Sequence, residues 1–600
     1  MSVSSSPCWL KHWPGWGNMH AMRTGIRNTL LAAACCAATA CVTPAPQPWF
    51  YGGVFEEIQN TEEYADFLAA RYAGMAGEPA AAASFYRRAF DRQPDDPELL
   101  ERAAFATLIS GEMTEAIGIS AGADPQVSAQ SPTAQLALVV DDIASNRARR
   151  ALVRLKTTNV GAINADVSGF LTAWLTAADN PDAGLAVLDQ LPARRLLAGE
   201  QACMKGLILL SAGRDDQALA AFELAARFPL GSPEFLLSLR ARVLAAKGDA
   251  AGARKLIETQ TQETGATSET DYVLKLLEAG QAVEKPRLSV RQGAAVAVYL
   301  ASAAGIARSS PELATMRHSM ALHLDPDFAP ARMMLADALN EQERTGDAIT
   351  VLREIPDGSP WAASARLQEA WLYDRLEHPA EALAAADQAL AASRRRDVLI
   401  GAADLYRVNR NYPKAEALYG EVLRADMASG RRDWRILFAR ASAREAAGNW
   451  KDAEADLLAA VAMEPDRPEL QNFLGYGWVN RGERVKEGME LIRKAAVARP
   501  DQGYIIDSLG WAHFKLGEFN DAVENLERAA ELSPSDADVL DHLGDAYWRT
   551  GRQTEAAFEW RRSLQLGPEP QREAALREKL NHGLPAIPAG NLAAAQQGRP

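Results

Sequence analysis

Four sets of residues in this 600-residue sequence are of types that do chemistry. The first is Gly118-Ile119-Ser120-Ala121-Gly122, a G-x-S-x-G string. A serine nucleophile in that string needs a buried strand before it and a helix after it. The preceding residues, Met113 to Ile117, read as helix, so Ser120 is not expected to be a nucleophile. The second set is His318 and His323, five positions apart, which puts them on different faces of a helix. There is no H-E-x-x-H, no G-x-x-x-x-G-K-[ST], and no G-x-G-x-x-G after a strand. The third set is the cysteines of the body, which reduce to Cys203 alone. One thiol makes no disulfide framework and no CxxC metal pair, so Cys203 reads as a small buried hydrophobe. No carboxylate pair stands out as an acid–base dyad, and the many Asp and Glu residues read as solvated helix faces. The sequence therefore predicts no catalytic residue, no metal and no cofactor.

The fourth set lies at the N-terminus. Cys8, Cys35, Cys36 and Cys41 fall within the first 41 residues. Arg23 and Arg27 precede an apolar run of 11 residues, Leu30 to Ala40, too short to span a bilayer as a helix. It fits the apolar region of an export signal, with translation starting at Met19 or Met22 and the segment before it an upstream extension. Ala38-Thr39-Ala40-Cys41 resembles the bacterial lipobox, in which the cysteine is lipidated and becomes the new N-terminus. Acyl chains contribute about 0.8 kcal/mol per buried CH₂ and would anchor the chain firmly. Ordinary cleavage after an A-x-A site is the other reading of the same residues. Residues 42–60, with Pro44, Pro46 and Pro48, read as a tether.

The body has an internal period. Prolines recur at Pro465, Pro500, Pro534 and Pro568, spaced 35, 34 and 34 apart. Leu474-Gly475, Leu509-Gly510 and Leu543-Gly544 keep the same beat, as do Ala348, Ala382, Ala415, Ala453, Gly488, Ala522 and Ala556. In one unit, a helix from about Tyr504 to Lys515 ends at Gly517, and a second from about Asn520 to Leu532 ends before Pro534. Leu509, Ala512, Ala522, Leu526 and Ala529 give each helix one apolar stripe, and Gly510 permits close approach. This pattern resembles the tetratricopeptide repeat, an antiparallel pair of helices. The resemblance covers most of residues 63–570, sharply from Ala329 onward, and poorly at 123–198 and 260–325. It implies an all-α, right-handed superhelical solenoid whose inner surface is lined by the first helix of each pair.

That register places a group of side chains on the inner surface: Asn472, Tyr476 and Asn480; Asp507, Trp511, Phe514 and Lys515; Asp541, Asp545, Trp548 and Arg549. Aromatic and polar groups side by side suit the capture of peptides, although Trp511 and Trp548 also read as packing between helices. Tyr476 and Trp511 stand where the carboxylate clamp of chaperone adaptors carries Asn, which argues against that ligand.

The strings PELQNFLGYGWVNRG, DQGYIIDSLGWAHFKLGEFNDAVENLERA and DHLGDAYWRTGRQTEAAFEWRRSLQLGP are similar to a group of proteobacterial tetratricopeptide-repeat lipoproteins. One relative in that group is an outer-membrane lipoprotein that binds a periplasmic carboxyl-terminal processing protease and delivers cell-wall hydrolases to it. The resemblance implies a lipid-anchored adaptor of the same type, facing the periplasm, with other proteins as partners. Val42 after the cysteine implies the outer membrane. An envelope or export assembly factor, or a cytoplasmic repeat regulator if the signal is misread, are the alternatives. Net charge is −14, and with Lys11, Arg23 and Arg27 as the only charges in residues 1–40, the remainder carries 61 basic and 78 acidic residues. That balance argues against nucleic acid, whose binding rests on Lys and Arg. The expected organisation is a signal segment and lipobox at 1–41, a tether at 42–60, repeats at 61–262, divergent helical repeats at 263–328, a repeat array at 329–570, a capping helix at 571–582 and a loose tail at 583–600.

Overall fold

The computed structural model describes residues 61–192, 197–228, 233–262, 265–303, 310–568 and 570–585. Cys41, the export signal, most of the tail and the tether lie outside these residues. The described residues form α-helices joined by short turns, with no strand among them. None of the helices is long and apolar enough to cross a membrane. The chain divides into two compact units between Val398 and Leu399. The helix pairs at 329–392 fall within the N-terminal unit.

The pairs form for the reasons the sequence supplies. Proline opens many helices at the first position, as in Pro97–Ser110 and Pro468–Arg481, where its missing N–H is no loss. Asp96 and Asp536 cap their helices by accepting from the next backbone amides. Within a pair the helices approach closely. A Cβ on Gly510 would lie 2.6 Å from Leu526, and one on Gly544 2.5 Å from Trp560. Most turns within pairs use a residue with positive φ, such as Gly448, Gly482, Gly517 and Gly551. Glu343, Glu377 and Arg410 hold the same conformation at a steric cost. Glu377 is exposed, and Glu377→Gly is expected to raise stability by about 0.5 kcal/mol, read as a higher urea midpoint. An unchanged or lower midpoint would contradict the strain.

In the N-terminal unit, pairs follow one another from Thr61–Met75 with Pro79–Arg92 to Pro233–Ala246 with Ala250–Gln260. Two of them, Pro132–Ala144 with Ala148–Thr157 and Ala165–Asp179 with Pro181–Gln190, occupy the region whose period the sequence hides. The segment expected to hold divergent repeats departs from the pattern. After the lone helix Ser268–Glu278, the helices Val290–Ala303 and Pro311–Leu324 form a hairpin that folds back across earlier first helices. Val290–Ala303 lies against Pro132–Ala144, Ala165–Asp179 and Ala198–Ser211, while Pro311–Leu324 lies against Pro97–Ser110 and Pro132–Ala144. Every residue from Ala294 to Ala301 is buried, so this helix is covered on all sides. Trp174 Nε1 donates to the Val290 carbonyl at 2.9 Å, and Arg317 donates to the carbonyls of Ala301 at 2.9 Å and Ile163 at 2.7 Å. The hairpin thus fills the inward sides of the Pro97–Ser110, Pro132–Ala144, Ala165–Asp179 and Ala198–Ser211 helices.

Three of the residues weighed for chemistry are buried in this unit. Ser120 is buried inside the helix Met113–Gly122 and donates to the Ala116 carbonyl at 2.7 Å, so the G-x-S-x-G string is not a nucleophile elbow. Cys203 is buried, and burial pushes its thiol up to about 12. His318 is buried against Tyr299, and burial lowers it to about 3, so it stays neutral.

Candidate functional site

The C-terminal unit runs from the helix beginning at Arg396 through four further pairs to the single helix Pro570–His582. Three first helices carry the expected site: Pro468–Arg481, Gly503–Leu516 and Ala537–Arg549. The structure sorts the eleven candidate residues into two groups. Asn472, Tyr476, Asp507, Asp541 and Asp545 are buried, with 0 to 6% of their surface exposed. Asn480, Trp511, Phe514, Lys515, Trp548 and Arg549 retain exposure, and all but Trp511 sit in the last turns of their helices.

The buried group faces neighbouring repeats and not an open groove. His542 Nδ1 lies 2.9 Å from the Asp507 carboxylate of the preceding repeat. Arg572 pairs with Asp538 at 2.7 Å, and Lys579 pairs with Asp541 at 2.5 Å and Asp545 at 2.8 Å. Arg481 reaches back to Glu445 at 2.9 Å. Together they form a ladder of charged contacts from one first helix to the next. The reason is crowding: residues 470–479 and 538–547 are buried without a break, so both helices are covered on every side. Asn472 is fully buried, and neither Nδ2 nor Oδ1 has a partner among the described residues. In this conformation these five side chains do not offer themselves to a partner.

The residues that complete the ladder were not singled out in the sequence. Arg572 and Lys579 are seven apart, as are Asp538 and Asp545, and each cation stands 34 positions after its acid. That complementarity across one repeat length was the available signal. It also explains why Pro570–His582 closes the array: Leu576 is fully buried while the two cations neutralise the last acids.

The exposed group forms a rim. The Trp511 ring stacks on Phe514 with centroids 4.8 Å apart and on His542 at 4.1 Å. Trp511 Nε1 donates to Asn480 Oδ1 at 3.3 Å, and Lys515 Nζ lies 5.1 Å from the Trp511 ring. Trp548 packs against the buried Trp560 at 5.6 Å. Burial lowers both Lys515 and Arg549 below their ordinary values, with Asp545 pulling the other way in each case.

Protonation in the ladder sets a pH dependence. Burial opposes the charged form of His542, but the Asp507 carboxylate outweighs it and the imidazole is raised from its usual range. Burial lifts Asp545 to about 6 although Lys579 pulls it down. Both groups hold protons more tightly in the folded unit than in the unfolded chain. The His542 contribution is present below about 6.5 and lost as pH rises through its folded value. The Asp545 contribution is present below about 4 and lost on rising through about 6. Warming at pH 8 is therefore expected to melt this unit a few degrees (about 2–4 °C) below its midpoint at pH 5.5. His542→Gln should flatten the dependence in calorimetry, and an unchanged slope would remove His542 as a cause.

Among the described residues, one cluster has the residue types of a metal centre. His513, Glu518 and Asp521 bring ligand atoms within 4.8 Å of one another, but the acids are exposed and His513 Nδ1 already meets Glu518 at 2.6 Å.

Repeated antiparallel helix pairs with a closing single helix define a helical-repeat scaffold. Within the C-terminal unit, residues 438–503 and 508–569 match the family model described as Tetratricopeptide repeat. A TPR repeat-containing protein of Pseudomonas aeruginosa, PA4667, is 37% identical over 90 residues, a match spanning 15% of this chain and 15% of that protein. Among solved structures, the APC/C hetero-tetramer Cut9-Hcn1 covers 88% of this chain and 97% of its own at 15% identity and a TM-score of 0.35. A tetratricopeptide repeat protein from Parabacteroides merdae covers 42% of this chain and 97% of its own, at 15% identity and a TM-score of 0.37. With TM-scores below 0.5, neither structure defines the shape or the partners of this chain.

Proposed function

We propose that this protein is a non-catalytic scaffold of the bacterial cell envelope, tethered by a lipid on Cys41 and holding a periplasmic protease and its substrates together. The observation that carries the binding role is the rim of the C-terminal unit. Trp511, Phe514 and Trp548 retain exposed surface beside Lys515 and Arg549, and large rigid aromatics beside cations are the usual anchors of protein interfaces. In the N-terminal unit the hairpin fills the inward sides of four first helices, which leaves the C-terminal repeats as the better platform. The resemblance of residues 468–568 to envelope lipoproteins, and the lipobox string ending at Cys41, support the location and the adaptor role. Tethering two partners on one scaffold raises their effective concentration without new chemistry.

The test is an affinity pull-down from detergent-solubilised native membranes, with mass spectrometry of what co-purifies. Recovery of a carboxyl-terminal processing protease, lost when residues 468–570 are deleted, is expected. Recovery of an assembly complex and no protease would replace the adaptor role. Cys41→Ser should move the protein out of the membrane fraction, and unchanged fractionation would remove the lipid anchor.

A further inference from the structure

We propose that the rim of the C-terminal unit binds an extended acidic segment of a partner protein, with Lys515 and Arg549 each holding one side-chain carboxylate. This deepens the scaffold reading and rests on it.

The two cations occupy the same place in successive repeats, 34 positions apart, in the last turns of neighbouring first helices. Neither has a carboxylate partner among the described residues. Lys515 Nζ reaches only the Asn480 carbonyl at 3.5 Å and the face of Trp511, and Arg549 makes no ion pair or hydrogen bond. Their surroundings make this unusual. Arg481, Arg552, Arg572 and Lys579, on the same helices or next to them, all meet a carboxylate within 3 Å. The burial that lowers Lys515 and Arg549 marks a cost that an arriving anion removes, since a partly desolvated cation gains most from a partner.

The spacing sets the ligand. Packed neighbouring helices stand about 8–10 Å apart. An extended polyproline-II chain advances about 3.1 Å per residue with three residues per turn, so carboxylates three residues apart share one face and reach both cations. Trp511, stacked on Phe514 and on His542 of the next first helix, lies beside Lys515, and the partly exposed Trp548 precedes Arg549, which suits an apolar side chain next to the acids. The chain as a whole carries −14, so it repels acidic segments everywhere except at such a local exception.

The test uses the full chain in detergent and fluorescence anisotropy of labelled peptides of about twelve residues. The probe carries Glu at every third position with Leu between. One control replaces each Glu by Gln, a second by Lys, and a third clusters the Glu residues at one end. The spaced Glu probe is expected to bind about tenfold or more tighter than the Gln and clustered forms, with affinity falling as salt is raised. Lys515→Glu with Arg549→Glu should lose that tenfold and prefer the Lys peptide, while Arg561→Glu, on an exposed site of the next helix, should change nothing. Circular dichroism of the double variant checks its fold, and Lys515→Gln with Arg549→Gln gives an uncharged second pair with an intermediate loss. Equal binding of the Glu and Gln probes, or unchanged binding by both double variants, would overturn the proposal. If partners recovered from membranes depend on residues 468–570 but not on these two cations, the scaffold stands and the acidic segment falls. If recovery does not depend on those repeats, the scaffold reading itself falls.

Discussion

Gly293→Leu is expected to loosen the N-terminal unit by about 2–4 kcal/mol, through overpacking and the loss of a buried hydrogen bond. A Cβ at Gly293 would stand 1.8 Å from the Trp174 indole, a rigid ring with no room to turn. Trp174 is buried, and its Nε1 holds the Val290 carbonyl at the start of the same helix. Added bulk therefore pushes the hairpin and the Ala165–Asp179 helix apart at the contact that fixes their register. Hydrogen exchange should report it as faster exchange across residues 165–179 and 290–303, with the C-terminal unit unchanged. Gly346→Ala is the control, because that position is open and helical. Unchanged exchange in the Gly293 variant would show that the hairpin does not depend on this contact.

The same hairpin marks where the sequence stops being readable. A repeat is legible because each pair has one apolar stripe per helix and one close contact, as at Gly510 and Leu526, and those recur every 34 residues. The C-terminal unit keeps a beat of 34 to 35 residues from Ala453 onward, and its helices there fall where the period places them. The Val290–Ala303 helix breaks it by being apolar on all faces from Gly293 to Ala301, which reads as a diverged repeat when only the period is considered. Its buried run Ala294-Ala295-Val296-Ala297-Val298 was the local sign that no face meets solvent. What could not be read is the partner it packs against, since the contact from Trp174 to Val290 spans 116 positions.

The candidate site was legible in register but not in depth. Counting along the first helices placed Asn472, Asp507 and Asp541 on the inward face; in the structure Asp507 meets His542 and Asp541 meets Lys579, each on a following helix. The register cannot say how tightly successive pairs stack. Stacking here brings His542 onto Asp507 and Lys579 onto Asp545, so inward-facing acids become internal ion pairs. Positions toward the ends of these helices, such as Lys515 and Arg549, keep solvent contact. Burying charge carries a desolvation cost that well-placed partners offset, and removing one partner leaves the other stranded.

That logic makes Trp560→Ala the most damaging single change in the C-terminal unit. Trp560 is fully buried and the largest side chain of that kind in the described residues. Its ring fills the space left by Gly544, and its Nε1 donates to Asp545 Oδ1 at 3.0 Å. Truncation removes the packing of a whole indole, about 3–5 kcal/mol for a large aromatic. It also takes a donor from a carboxylate that burial already strains, leaving Lys579 as its neutralising partner. Trp560→Phe separates the two effects. It keeps most of the apolar volume and loses the hydrogen bond, so it should cost about 1–2 kcal/mol. Chemical denaturation should show the C-terminal unit unfolding first in the alanine variant, with the phenylalanine variant between it and the parent. Because Trp548 rests on Trp560, the alanine variant should also weaken binding of the acidic probe at the rim under conditions where the unit remains folded. A phenylalanine variant as damaged as the alanine one would place the cost in the Asp545 contact and not in packing. An alanine variant of parental stability would mean that the repeats do not depend on this core.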